Sequence, residues 1–80
     1  MTQIFFNMLQ LHMMYRHIKS GRLYRVRGLA RNASNPFQVS VMYEQQEDTV
    51  IRGTKIVLAK GTLWYRDLVD FKQKFIPDKS

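Results

Sequence analysis

The chain has no cysteine among its 80 residues, which excludes disulfide bonds and thiolate metal ligands. Stability must therefore come from apolar packing, which suits a reducing compartment. No apolar run approaches the roughly 18 residues of a membrane-spanning helix. The apolar start of the chain also lacks the basic residues and the cleavage site of a secretory signal. We therefore expect a cytoplasmic protein with no transmembrane segment.

Acidic residues are missing from the first half of the chain. Residues 1–43 hold six Lys and Arg and no Asp or Glu, whereas residues 44–80 hold seven basic and six acidic residues. The formal net charge of the whole chain is +7. This asymmetry predicts one electropositive surface, which favours nucleic acid, anionic lipid or an acidic protein surface as the partner. The alternative is that the charge only keeps the protein soluble.

Residues that carry catalysis are few. The two histidines, His12 and His17, are five positions apart, a spacing that neither a helix nor a strand brings onto one face. The four glycines are isolated and form no phosphate-binding loop. We therefore expect no enzymatic activity, no metal site and no cofactor. We interpret His17 as a partly buried, hydrogen-bonded residue that supports the first strand.

Alternating side chains predict a mainly β fold. Residues 22–31 form a strand with an apolar face, made of Tyr24, Val26, Gly28 and Ala30, and a second face made of Arg25, Arg27, Leu29 and Arg31. Residues 32–36 are typical of a turn. Residues 37–43 form the clearest strand, whose inward positions are Phe37, Val39, Val41 and Tyr43.

The second half of the chain predicts shorter elements. A solvated acidic loop at residues 44–49 precedes strands at residues 55–59 and 62–66, and Trp64 and Arg66 share a face on the latter. We expect Trp64 to be buried, since it is the only tryptophan. Asp67 is the N-cap of a short helical turn. Such closely spaced strands predict a small SH3-like barrel or a strongly bent antiparallel sheet.

The apolar start has helical spacing over residues 2–14, with Thr2 as a candidate N-cap. We predict a short N-terminal helix that packs on the sheet, docks on a partner or lies on a membrane surface. The absence of basic residues within it counts against the membrane. The predicted organisation is an N-terminal extension at residues 1–13, one β-rich domain at residues 14–76 and a disordered tail at residues 77–80.

The run from Tyr15 to Arg31 resembles the opening of a family of short bacterial and phage proteins, domain of unknown function 1653. The matching positions are His17, Lys19, Tyr24, Val26, Gly28 and Ala30 in the opening, Val41 and Tyr43 in the middle strand, and Trp64, Arg66 and Phe71 near the end. The family has Tyr, Gly and Pro where this chain has Ile18, Ser20 and Asp67, and its connection across residues 44–60 is shorter. The resemblance implies a compact β-rich module that begins near Met14, so residues 1–13 are an extension or an upstream start. It also implies the host cytoplasm if a phage encodes the protein.

The basic strand face is the strongest functional signal. Arg25, Arg27 and Arg31 lie on it, and positions on one strand face recur every roughly 6.6 Å. Their guanidinium groups can therefore follow a phosphate backbone through bidentate contacts. The alternative is an edge strand whose charge prevents aggregation. The predicted binding residues are Lys19, Arg22, Arg25, Arg27, Arg31 and Arg66.

These observations predict a non-enzymatic basic binding module that contacts nucleic acid phosphates or an acidic protein surface. The alternative is a small adaptor or inhibitor that docks on a host or self protein through the apolar N-terminal segment and a sheet edge. The docking residues in that case are Phe5, Met8 and Leu9. Either function is compatible with a homo-oligomer.

Overall fold

A computed structural model describes residues 12–78 and contains seven strands and one short helix. In chain order they are β1 (Met14–His17), β2 (Leu23–Asn32), β3 (Asn35–Gln45), β4 (Thr49–Val50), β5 (Val57–Leu58), β6 (Leu63–Asp67), α1 (Leu68–Lys74) and β7 (Phe75–Pro77). Five of the strands form one antiparallel sheet in the order β6-β3-β2-β1-β7, and β4 pairs with β5 separately. The prediction of a mainly β fold is confirmed. Within the described residues the edge strands β6 and β7 do not pair with each other, so the sheet is open.

The described chain begins beside β2. The His12 N–H donates a hydrogen bond to the Val26 carbonyl, and the Val26 N–H donates one to the Met13 carbonyl. Met14 already belongs to β1, a strand that the sequence analysis did not predict. The predicted N-terminal helix is therefore wrong at residues 12–14, which are not helical, and its remainder at residues 2–11 lies outside the described part. No helix within residues 12–78 is long and apolar enough to cross a bilayer.

The core lies between the sheet and α1. Alternation on β3 turns Val41 and Tyr43 toward the helix, as predicted, and both side chains are buried. The Phe71 and Phe75 rings stack with their centroids 4.2 Å apart, and the Tyr15 ring meets Phe71 edge-on at 5.3 Å. The complete buried apolar cluster is Tyr15, Val26, Val41, Tyr43, Phe71 and Phe75. Aromatic rings therefore fill most of this small core.

A β-bulge in β2 reverses the alternation of its side chains. Val26 lies opposite Tyr43, but Gly28 lies opposite Met42, so Arg27 is an extra residue with no partner on β3. Paired positions share a face of the sheet, so the residues after the bulge face the opposite way from the prediction. The inward positions predicted for Gly28 and Ala30 are therefore wrong.

The two ends of β3 also differ from the sequence prediction. Phe37 is 94% exposed, because it lies far along the β2–β3 hairpin where nothing in residues 12–78 covers it. Its predicted inward position is wrong. At the other end the strand continues to Gln45, which is only 2% exposed although a solvated loop was predicted there. The pairing of β3 with both β2 and β6 extends the strand to this position.

Helix α1 begins where the sequence predicts. The Asp67 carboxylate accepts hydrogen bonds from the backbone N–H groups of Val69 and Asp70, which confirms Asp67 as the N-cap. The helix ends at Lys74, and Phe71 is its buried residue. Because α1 joins the two edge strands, it must cross the sheet, and this places its side chains over the core.

The chain remains paired beyond the predicted end of the domain. Pro77 lies opposite Tyr15 in the β1–β7 pair, and the Asp78 N–H donates to the Met14 carbonyl. The Asp78 carboxylate also contacts the Arg16 guanidinium at 3.4 Å. The tail predicted for residues 77–80 is therefore wrong for Pro77 and Asp78, because edge pairing with β1 continues through them.

Candidate functional site

The predicted basic face of β2 is divided between the two sides of the sheet. Arg25 lies opposite Glu44 and Arg31 lies opposite Val39. Glu44 and Val39 are an odd number of residues apart on β3, so their side chains face opposite sides of the sheet. Each arginine shares the face of its partner, so Arg25 and Arg31 also face opposite sides. The prediction that these arginines form one continuous surface is wrong, because the bulge at Arg27 adds one residue between them.

Each arginine of this strand already has a local partner. Arg25 Nη1 donates to the His12 carbonyl at 2.8 Å, and Arg31 Nη1 donates to the Pro36 carbonyl at 2.8 Å. Arg27 lies 3.8 Å from the Glu44 carboxylate and 3.2 Å from the His12 ring. Arg25 and Arg27 therefore both contact His12, whereas Arg31 contacts Pro36 at the hairpin end, so the three guanidinium groups do not share one site.

A different set of cations converges on an open cavity of about 380 Å³, which we call the cationic cavity. It lies where the end of β1, the β1–β2 turn, β6 and the end of α1 meet. A backbone hydrogen bond from the Ile18 N–H to the Lys74 carbonyl brings the helix end to this turn. The lining residues are His17, Ile18, Lys19, Arg66, Gln73 and Lys74.

Arg66 is the most firmly held cation of the cavity. Its Nη1 donates to the Asp70 carboxylate at 2.9 Å, and its Nε donates to the Tyr43 hydroxyl at 3.2 Å. The guanidinium carbon also lies 5.6 Å from the centroid of the Phe75 ring. Arg66 and Asp70 form an ion pair between β6 and the first turn of α1. These contacts fix the direction of the guanidinium before any ligand arrives.

His17 is the last residue of β1 and lines the cavity together with the end of the helix. Its Nδ1 lies 2.8 Å from the Ser20 hydroxyl, and its ring contacts Phe75, as expected of a partly buried residue that supports a strand. Burial lowers the pKa of the His17 imidazole below its ordinary value, and three nearby cations lower it further. Those cations are Arg66, Lys74 and Lys19. The ring is therefore neutral near pH 7.

A smaller cavity of about 170 Å³ shares His17 and Arg66 with the cationic cavity, so the two adjoin. We call it the aromatic cavity. Its lining residues are His17, Tyr24, Tyr43, Trp64, Arg66 and Phe75. Burial, opposed in part by the nearby Arg22, raises the pKa of the Tyr24 hydroxyl, so this group stays neutral at physiological pH.

Trp64 is 39% exposed, so the prediction that it is buried is wrong. The reason is that β6 is an edge strand and the side chain lies at the rim of the aromatic cavity. Its indole Nε1 donates a 2.9 Å hydrogen bond to Gln45 Oε1. The predicted shared face of Trp64 and Arg66 is confirmed, since they pair with Tyr43 and Val41 on the core side of β3.

Only part of the predicted binding set meets at this site. Lys19 and Arg66 line the cationic cavity, and Arg22 lies near Tyr24 of the aromatic cavity. Arg25, Arg27 and Arg31 line neither cavity. The docking residues predicted in the N-terminal segment, Phe5, Met8 and Leu9, lie outside the described residues.

Sequence reasoning missed Lys74 and did not assign His17 to a ligand site. The available signal was weak, because Lys74 is one of two lysines in the last turn of an amphipathic helix, where basic residues are common. Tyr24 and Tyr43 were predicted to lie on apolar strand faces, but not to border an opening. Their convergence depends on the path of α1 across the sheet.

A larger recess, of about 520 Å³, is lined by residues of the β2–β3 hairpin and by Tyr65 of β6. Small and polar residues dominate its wall, which is lined by Ala30, Arg31, Asn32, Gln38, Ser40, Met42 and Tyr65. Its one cationic side chain, Arg31, donates to the carbonyl of Pro36. This recess is larger than the cationic cavity but brings together fewer cations. We therefore take the cationic and aromatic cavities as the candidate site.

Comparisons of the chain with protein-family models, with curated proteins and with solved structures give no match. The chemistry of the two cavities is therefore interpreted from their own residues. Three cations, one neutral imidazole and several aromatic rings favour an anionic ligand that also carries an apolar or aromatic part.

Proposed function

We propose that this protein is a non-enzymatic binding module for nucleic acid that contacts phosphate groups through the cationic cavity. The observation that carries the proposal is the convergence of Lys19, Arg66 and Lys74 on one open recess. Among the described residues the lining of this cavity contains no carboxylate. Asp70 lies beside it and bonds to Arg66 and Lys74, so it holds these cations in place while partly neutralising them.

The mechanism is neutralisation of phosphate charge with release of bound counterions. Arg66 offers a planar donor group in a fixed direction, which suits bidentate contact with phosphate oxygens. Lys19 is exposed in the β1–β2 turn, so its ammonium group can move to meet the ligand, whereas the exposed Lys74 is held at the helix end by Asp70. Such contacts position a backbone without reading its sequence.

The experiment compares two double variants that remove the same charge. K19Q/K74Q changes the cavity, whereas R25Q/R31Q changes two arginines of β2 that line neither cavity. Binding of a fluorescein-labelled oligonucleotide is measured by anisotropy at several salt concentrations. We expect K19Q/K74Q to reduce the slope of log affinity against log salt by about 0.7 per lost contact on a single strand.

R25Q/R31Q is the matched control, and we expect it to leave the slope nearly unchanged. Equal losses in the two variants would indicate attraction by net charge alone and would contradict a site at the cavity. Absence of oligonucleotide binding by the unmodified protein at low salt would refute the proposed function. Thermal melting of both variants verifies that they remain folded.

We further propose an SH3-like arrangement of the sheet and a distant relationship to the domain of unknown function 1653 family. The SH3-like interpretation is supported by the edge pairing of β7 with β1 and by the short helix that precedes β7. The family relationship is supported only by the matching positions in the sequence. Neither proposal is needed for the cavity to bind phosphate.

A small adaptor or inhibitor that docks on a host or self protein, in part through a sheet edge, is the second candidate, and one observation favours it. Beyond Val26, no described residue pairs with the outer edge of β2, so within residues 12–78 the edge of residues 27–32 is open. A partner strand, or a second copy of this chain, can add to such an edge. Nuclease treatment distinguishes the candidates, because a complex joined through the sheet edge survives it and a complex joined through nucleic acid does not.

A further inference from the structure

The two adjoining cavities differ in chemistry, and together they match the two parts of a nucleotide. The cationic cavity offers positive charge to a phosphate, whereas the aromatic cavity offers ring surfaces to a flat base. Because His17 and Arg66 belong to both walls, the two parts of one ligand can occupy them at once. A bare phosphate would leave the aromatic cavity empty.

Trp64 is positioned to stack on a base. Its ring is 39% exposed at the cavity rim, and its Nε1 is held by the buried amide of Gln45. A ring fixed in this way loses little conformational freedom when another ring stacks on it. Tyr24 and Tyr43 lie 5.2 Å apart edge-on and form the deeper part of the wall.

A cationic ligand does not fit this recess, although aromatic rings also attract cations. The Arg66 guanidinium belongs to the wall of both cavities and would repel an ammonium group placed against the rings. Lys19 and Lys74 add to the same repulsion. The cavity pair therefore selects an anion that carries a ring.

We propose that the two cavities bind one unpaired nucleotide of a single-stranded nucleic acid, with its phosphate in the cationic cavity and its base against Trp64. This inference rests on the proposed function and names its ligand class. A paired base is stacked between its neighbours inside a duplex and does not reach the cavity, so single strands are preferred over duplexes.

The test uses the single tryptophan of the chain as a local reporter. Three probes of equal length are compared at one salt concentration: a twelve-residue oligothymidylate, an abasic deoxyribose-phosphate strand and a duplex. We expect the oligothymidylate to quench Trp64 fluorescence and to bind at least about fivefold more tightly than the abasic strand, because base stacking on an aromatic ring adds to the phosphate contacts. The abasic strand should bind without quenching.

Two variants of neighbouring residues locate the contact. Trp64 and Tyr65 are adjacent on β6 and face opposite sides of the sheet, and both are exposed. Anisotropy of labelled strands should show that W64L loses the preference for oligothymidylate over the abasic strand, whereas Y65L keeps it. Y24L provides a second variant within the cavity, should loss of the indole disturb Gln45 and prevent folding.

The outcomes separate this inference from the function on which it rests. Equal affinities for the oligothymidylate and abasic strands, with no quenching, would overturn the inference and leave phosphate binding intact. Tighter binding of the duplex would also overturn it. Thymidine monophosphate should quench only at much higher concentration, and quenching as effective as that of the strand would show that a free nucleotide is the ligand. Failure of every probe to bind would refute the proposed function itself.

Discussion

The indole Nε1 of Trp64 donates a hydrogen bond to Oε1 of Gln45 across 2.9 Å, so an exposed ring is anchored by a buried amide. The amide nitrogen of Gln45 in turn donates to the carbonyls of Leu58 and Glu47. Gln45 thus joins the rim of the aromatic cavity to the β4–β5 segment. Loss of the Gln45 side chain should therefore affect both the position of Trp64 and the β4–β5 segment.

The first prediction concerns this connection. Replacing Gln45 with leucine leaves the indole N–H and the Leu58 carbonyl without their partners, and an unsatisfied buried polar group costs about 1–3 kcal/mol. We expect urea denaturation to show a loss of that size and Trp64 emission to shift. Q38L, an exposed position on the same strand, should change little. An unchanged stability of Q45L would contradict the anchoring role.

A second prediction compares two positions of β3 that alternation assigns to the same face. Val41 is fully buried, so V41A should reduce the free energy of unfolding by about 2 kcal/mol. Phe37 is almost fully exposed, so F37A should change it by less than about 0.5 kcal/mol. Thermal or urea denaturation measures both. A large loss in F37A would show that the hairpin end is covered in solution.

The third prediction concerns pH. The pKa of His17 in the folded protein is lowered, so between that value and the ordinary value of 6.5 the unfolded chain binds more protons than the folded one. Stability should therefore fall as the pH drops from above 6.5 through the folded pKa. We expect H17Q to flatten this part of the profile of urea midpoint against pH.

The same titration affects ligand binding in the opposite direction. A phosphate in the cationic cavity stabilises the protonated ring, so oligonucleotide affinity should rise as the pH falls toward the lowered pKa of His17 in the folded protein. The groups that face the ring are Arg66, Lys74, Lys19 and the Ser20 hydroxyl. H12Q is the control and should keep both effects. Identical pH profiles in H17Q and the unmodified protein would exclude His17 as their source.

The fourth prediction removes the carboxylate that competes with the ligand. Hydrogen bonds from Arg66 and Lys74 lower the pKa of Asp70, so this group is ionised at neutral pH and neutralises part of their charge. D70N should therefore raise oligonucleotide affinity about two- to fivefold at low salt. E47Q removes the same charge from a position outside both cavities and serves as the control. Equal gains in both variants would argue against a local effect.

Local pattern was sufficient for several features of this protein. Alternation along β3 correctly placed Val41 and Tyr43 inward, and the side chain of Asp67 was enough to predict the helix start. The shared face of Trp64 and Arg66 also followed from the period of a strand. Each of these properties depends on residues within a few positions of one another, which is why the sequence by itself determined them.

The tertiary structure alone decided the rest. A bulge exists only where one strand has an extra residue relative to the strand it pairs with. The extra residue Arg27 divides the basic face of β2, but the alternation of residues along β2 alone does not show it. The exposure of Phe37 depends on how far the helix reaches over the sheet. The cationic cavity likewise requires Lys74 to lie beside His17 and Lys19, more than fifty positions earlier in the chain. Pairing of β7 with β1 brings them together, and pairing between distant strands is set by packing of the whole core rather than by any local pattern.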